Sequence, residues 1–112
     1  MVLLSMTILV PIKYVQEHQI DGETRWTGRV ELPGHTGLNV LVLRVGGRLM
    51  GVRNLCPHRR TVSLERGRLD EAAGILECPS HGWQLEILGP DLMGRPVEVI
   101  DGQMFLVLTP TG

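Results

Sequence analysis

Two short stretches, CPHRR at residues 56–60 and CPSHGW at residues 78–83, hold both cysteines of the chain and two of its four histidines. Cys56 and His58 flank one residue, Cys78 and His81 flank two, and nineteen residues separate His58 from Cys78. Thiolates and imidazoles at such close spacing are the parts of metal-ligand arms. A chain that carries two such arms has to fold so that two loops, remote in sequence, meet at one point.

The rest of the sequence describes the scaffold available for this. A length of 112 residues makes one domain, 1–112, with a modest core. Hydrophobic content of 43% beside 21% charge is that of a globular chain, and a net charge of −1 argues against nucleic acid as a partner. Fourteen glycines and seven prolines leave little room for long helices, so the expected fold is all-β, with short strands and turns. RWTGRVEL (25–32), NVLVLRV (39–45) and RLMGV (48–52) read as strands, the last two joined by Gly46-Gly47. GILECP (74–79) leads into the second arm and WQLEIL (83–88) leads out, which puts Cys78 and His81 at a hairpin tip. RPVEVI (95–100) and QMFLVL (103–108) pair through Asp101-Gly102, and LDEAA (69–73) is the one candidate for a helical turn.

The first dozen residues, MVLLSMTILVPI, are apolar but too short for the roughly 20 residues of a spanning helix. They also lack the basic start and small-residue cleavage site of a signal peptide. Residues 1–12 are therefore read as a strand or an extension, with Met6 as an alternative start, and no membrane association is expected. The compartment that follows is cytoplasmic, where paired cysteines point to metal or catalysis more than to a disulfide.

Structural zinc sites usually pair like ligands, whereas each arm here mixes a cysteine with a histidine. A 2Fe-2S cluster with two thiolates on one iron and two imidazoles on the other has two chemically different ends. CPHRR followed by CPSHGW resembles the two-loop signature of the Rieske iron-sulfur proteins, and RPVEVIDGQMFLVL resembles the strand pair that closes their fold. The likeness runs from about Asn39 to Thr109. It implies a small antiparallel β-sandwich or barrel with a cluster-binding subdomain at about 53–88, and one 2Fe-2S cluster held by Cys56, His58, Cys78 and His81. The interval between the arms is slightly long for the family, which places one or two extra residues in ERGRLDEAAG (65–74), read as a polar surface loop.

Rieske proteins of the respiratory and photosynthetic complexes add a cysteine to each arm and follow His-Gly with serine and, two positions on, tyrosine. Here Trp83 and Leu85 stand at those positions and the chain has no third cysteine. The resemblance is thus to the oxygenase-associated branch, with a low reduction potential expected from the missing hydroxyl donors. It implies an electron carrier, not an enzyme, passing single electrons from a flavin-dependent reductase to a terminal oxygenase. The alternatives are a small subunit or accessory domain of a larger oxidoreductase, of nitrite reductase type, and a zinc-stabilised interaction module. Trp83 is expected to pack over the cluster, Trp26 and Phe105 to lie in the core, and His18 and His35 to be ordinary solvated or capping histidines. Seven arginines between Arg44 and Arg68 face the single acid Glu65, so this segment is either a solvated basic surface or a docking patch.

Overall fold

The computed structural model describes residues 7–32 and 34–108, and these form ten strands with no helix. β1 (Ile8–Pro11), β2 (Lys13–Ile20), β3 (Glu23–Leu32), β4 (His35–Val45), β5 (Arg48–Arg53), β9 (Arg95–Ile100) and β10 (Gln103–Leu108) make one antiparallel sheet in the order β1-β10-β9-β5-β4-β3-β2. Its two edge strands are consecutive in sequence, joined only by Ile12, whose N–H donates to Met104 O at 2.9 Å. β1 also touches β3. The sheet thus curls until its edges meet along one bent stretch of chain, which protects backbone groups that an open edge would expose. No helix among the described residues is long and apolar enough to cross a membrane.

The second sheet is small: β6 (Arg68–Asp70), β7 (Ile75–Glu77) and β8 (Gln84–Glu86), in that order. It lies against the outside of β4. Val40, Leu41, Val42 and Leu43 are all at most 4% exposed, although alternate residues of a strand point to opposite faces. Val40 and Val42 join Val10, Ile12, Val30, Val97 and Leu106 in the core inside the curled sheet. Leu41 and Leu43 join Val52, Leu64, Leu76, Leu85, Ile87 and Leu92, together with Cys56 and Cys78. The apolar run NVLVL therefore belongs to a strand buried on both faces.

Strand and hairpin readings of the sequence hold, with bounds shifted by a few residues, and Asp101-Gly102 makes the β9–β10 turn with both residues at positive φ. Two readings are corrected and one strand is added. LDEAA is not helical: Leu69 and Asp70 lie in β6, and residues 71–74 form the turn to β7. The segment 65–74 is not merely a surface loop, since it supplies an edge strand of the small sheet and Gly67 is buried against Glu77 O, where a Cβ would come within 2.4 Å. β2 has no counterpart in the sequence reading, because seven of its eight residues are exposed or half-buried and carry no apolar alternation. Of the N-terminal run, Ile8–Pro11 is strand, and residues 1–6 lie outside the described residues, as does Thr109.

Candidate metal centre

Cys56 follows β5 by three residues, and Cys78 follows β7 directly. The first arm turns back on itself through Val62 N donating to Arg59 O at 3.0 Å and Cys56 N donating to Val62 O at 2.9 Å. The second is a tighter turn, in which Gly82 N donates to Cys78 O at 3.0 Å and Cys78 N donates to Trp83 O at 2.8 Å. Gly82 takes φ +73°, a conformation that side chains with a Cβ adopt only at a cost. The chain thereby reverses within four residues and swings His81 toward the first arm.

Cys56 and Cys78 are free and essentially fully buried. His81 Nε2 lies 3.7 Å from Cys56 Sγ and 3.8 Å from Cys78 Sγ, and the ligand atoms of all three residues fall within 4.8 Å of one another. His81 Nδ1 is shut off from solvent and has no hydrogen-bond partner, a condition that normally costs stability unless something else satisfies the nitrogen. Partial burial first, then the charges of Arg59 and His58, hold the His81 imidazole below its ordinary pKa. The neutral ring favoured in this way is the form that binds a metal. Two buried thiols and a partnerless buried imidazole nitrogen at one point are a donor set suited to an iron-sulfur cluster.

His58 stands on the same tip but outside this group of three. Its ring is exposed and stacks on the Trp83 indole, with centroids 4.1 Å apart and planes at 14°, and its centroid is 6.3 Å from that of His81. Trp83 is 52% exposed, so the expected packing of Trp83 over the site takes the form of a lid on one imidazole rather than burial. Trp26 packs half-buried against the inner core and Phe105 is likewise half-buried. His18 departs from the solvated reading: it is half-buried, and its Nε2 shares a 2.7 Å hydrogen bond with Thr27 Oγ1. The side chain of His35 lies outside the described residues.

Two residues absent from the sequence reading hold the arms against the large sheet. Asn54 Oδ1 accepts from Leu64 N at 2.7 Å, and its Nδ2 donates to Glu65 Oε2 at 2.9 Å. Arg25, on β3 and only 3% exposed, donates through Nη1 to the carbonyls of Glu65 and Gly67 at 2.8 and 2.6 Å and pairs with Glu23 at 3.5 Å. Asn54 has a weak sequence signal in its place two residues before Cys56. Arg25 has none, because its partners lie forty residues and more downstream.

Comparison with known proteins places the chain. No curated protein matches it. The fold is similar to that of the ferredoxin of carbazole 1,9a-dioxygenase from Nocardioides aromaticivorans IC177, with TM-score 0.51 and 18% identity, covering 91% of this chain and 97% of that one. It is also similar to a chain in a complex of reduced oxygenase and oxidized ferredoxin in carbazole 1,9a-dioxygenase, with TM-score 0.52, 24% identity and coverage of 92% and 94%. The family model of the Rieske [2Fe-2S] domain matches residues 10–101, both arms included. With its two free buried thiols and the imidazole between them set to receive a 2Fe-2S cluster, the chain belongs to the Rieske [2Fe-2S] domain family.

Proposed function

We propose that this chain is a Rieske ferredoxin, an electron carrier and not itself an enzyme, that takes single electrons from a flavin-dependent reductase and passes them to a terminal oxygenase. Cys56 and Cys78 are the thiolate ligands and His58 and His81 the imidazole ligands of its cluster. The observation that carries the reading is the convergence of Cys56, Cys78 and His81 on a tip where His58 is exposed. Ferredoxins of an oxygenase system are among the structures that share the fold, which favours an oxygenase over other acceptors. A cytoplasmic setting, where thiols stay reduced, suits the two free cysteines.

A bound Rieske cluster supplies one-electron chemistry at a potential of roughly −150 to +300 mV. The chain's own residues set the terms. The buried cysteines and the Leu85 side chain, 3% exposed, keep water from the thiolate side. His58 lies at the surface, so the path to a docked partner is short on that side alone. With a cluster held there, the exposed His58 side of the tip, and not the buried side, would be where electrons enter and leave.

The test is direct. Purified protein should contain the two irons and two sulfides of a 2Fe-2S cluster, give a Rieske EPR signal after dithionite, and be reduced to one electron per chain by NADH with a trace of flavin-dependent ferredoxin reductase. One zinc and no sulfide would sink the assignment, and oxygen consumption by the reduced protein coupled to substrate oxidation would make it an enzyme.

A further inference from the structure

The surface around His58 carries more charge than a bare electron exit requires. His58, Arg59 and Arg60 are exposed in succession. Arg53, exposed at the end of β5, joins Arg60 along a groove shared with Leu55, Pro57, Pro90 and Asp91. The ion pairs among the described residues are Lys13–Glu31 and Arg25–Glu23, so Arg53, Arg59 and Arg60 contact no carboxylate within 4 Å, Asp91 included. Glu65, the one acid near them in sequence, has its carboxylate tied to Asn54 at 2.9 Å. Asp70 and Glu71 sit at the β6–β7 turn, the opposite end of the small sheet from Cys78, which leaves Glu77, beside Gly82, and Asp91, in the groove but not ion-paired, as the acids near the three arginines. A chain of net charge −1 thus shows locally unneutralised positive charge beside its exposed histidine.

An exposed aromatic ring lies on the histidine that precedes two of these arginines. Trp83 is 52% exposed while stacked on His58. Tryptophan and arginine are the residue types that dominate binding energy at protein interfaces, with the aromatic ring central and the charge at the rim. We propose that Trp83 and His58, with Arg59 and Arg60 next in the chain and Arg53 in the groove beside Arg60, form a docking face for an acidic surface of a redox partner. The proposal rests on the carrier reading above and adds the charge of the partner. Exposed arginines act mainly on encounter: they raise the association rate at low salt, and screening removes the effect beyond a Debye length of about 8–10 Å. Such a complex is small and short-lived, as electron-transfer encounters are.

Two protein probes of opposite charge test it, acidic ferricytochrome b5 and basic ferricytochrome c, each accepting one electron from the reduced chain and going from ferric to ferrous haem. At low ionic strength, Arg59→Glu/Arg60→Glu should slow transfer to cytochrome b5 by about fivefold or more and speed transfer to cytochrome c, with both differences vanishing in high salt. Cluster content and midpoint potential are measured alongside, because negative charge added beside a cluster lowers its midpoint potential and so raises the driving force equally toward both acceptors. Retention on immobilised cytochrome b5 needs no electron to pass: wild type should be retarded, and both the double variant and Trp83→Ser should elute earlier. Equal rates and equal elution of wild type and variant would overturn the docking face while leaving the carrier reading intact. A chain that holds no cluster would end the carrier reading instead, and the column would still decide the face.

Discussion

His81 reaches both sulfurs from a turn closed by backbone hydrogen bonds, whereas His58 rests exposed against Trp83. On the proposed ligand assignment each would leave a coordination position open when removed, so His58→Ala and His81→Ala should both fall to about a tenth or less of wild-type iron and lose the Rieske EPR signal. A full cluster in either variant would show that the ligand was misassigned. The pH dependence of the metal-free chain follows from His81. Its folded pKa lies below the ordinary value of about 6.5, so the unfolded chain binds the proton more readily. The stability held above the ordinary pKa is therefore lost as pH falls from there through the depressed folded value. His81→Gln, compared with wild type by urea unfolding in the metal-free state, should flatten the decline over that window. With Trp83 and Leu85 where hydroxyl donors to sulfur stand in the cytochrome-complex branch, protein-film voltammetry should give a midpoint near the low end of the family range, about −150 mV. A midpoint well above zero would count against the absence of those donors as the controlling factor.

The elements owe their existence to local chemistry and their placement to a few long-range polar contacts. β9 and β10 were legible because Asp101-Gly102 sits between two apolar-rich runs, and β4 because NVLVL is β-branched and bounded by glycines. β6 was not, since three residues carry no period and their strand character comes from pairing Arg68 with Glu77 and Asp70 with Ile75. Arg25 ties this small sheet to β3. Arg25→Met would leave the buried carbonyls of Glu65 and Gly67 without their donor, at about 1–3 kcal/mol for each unsatisfied group. Thermal unfolding should shift downward, and cluster loss to a chelator should accelerate at temperatures where the protein is still folded. Unchanged loss kinetics beside a lowered Tm would mean that Arg25 holds the large sheet only.

At the scale of the molecule, two cores share one strand. The inner core centres on Val30, Val42 and Leu106, and the outer on Leu43, Leu64 and Leu76, which also encloses both cysteines. Truncating a buried leucine costs about 2–5 kcal/mol wherever it lies, but the site it disturbs depends on which side of β4 it occupies. Leu76→Ala should weaken cluster retention and broaden the EPR signal. Leu106→Ala should lower Tm to a similar degree with the spectrum unchanged. Identical spectra from both variants would contradict the separation of the cores.

The sequence by itself singled out the four candidate ligands and determined the hairpins and the all-β character, because residue type, turn residues and strand periodicity are written in neighbouring positions. Cys56, His58, Cys78 and His81 stand out at spacings that few other purposes require. Tertiary structure decided what depends on residues far apart in the chain. It buried both faces of β4, bent β1 into β2 to close the sheet, and recruited Arg25 to carbonyls beyond any sequence window. It also laid Trp83 on His58, leaving one imidazole exposed and the other between two sulfurs. Those outcomes follow from register and packing, which arise only when remote segments meet.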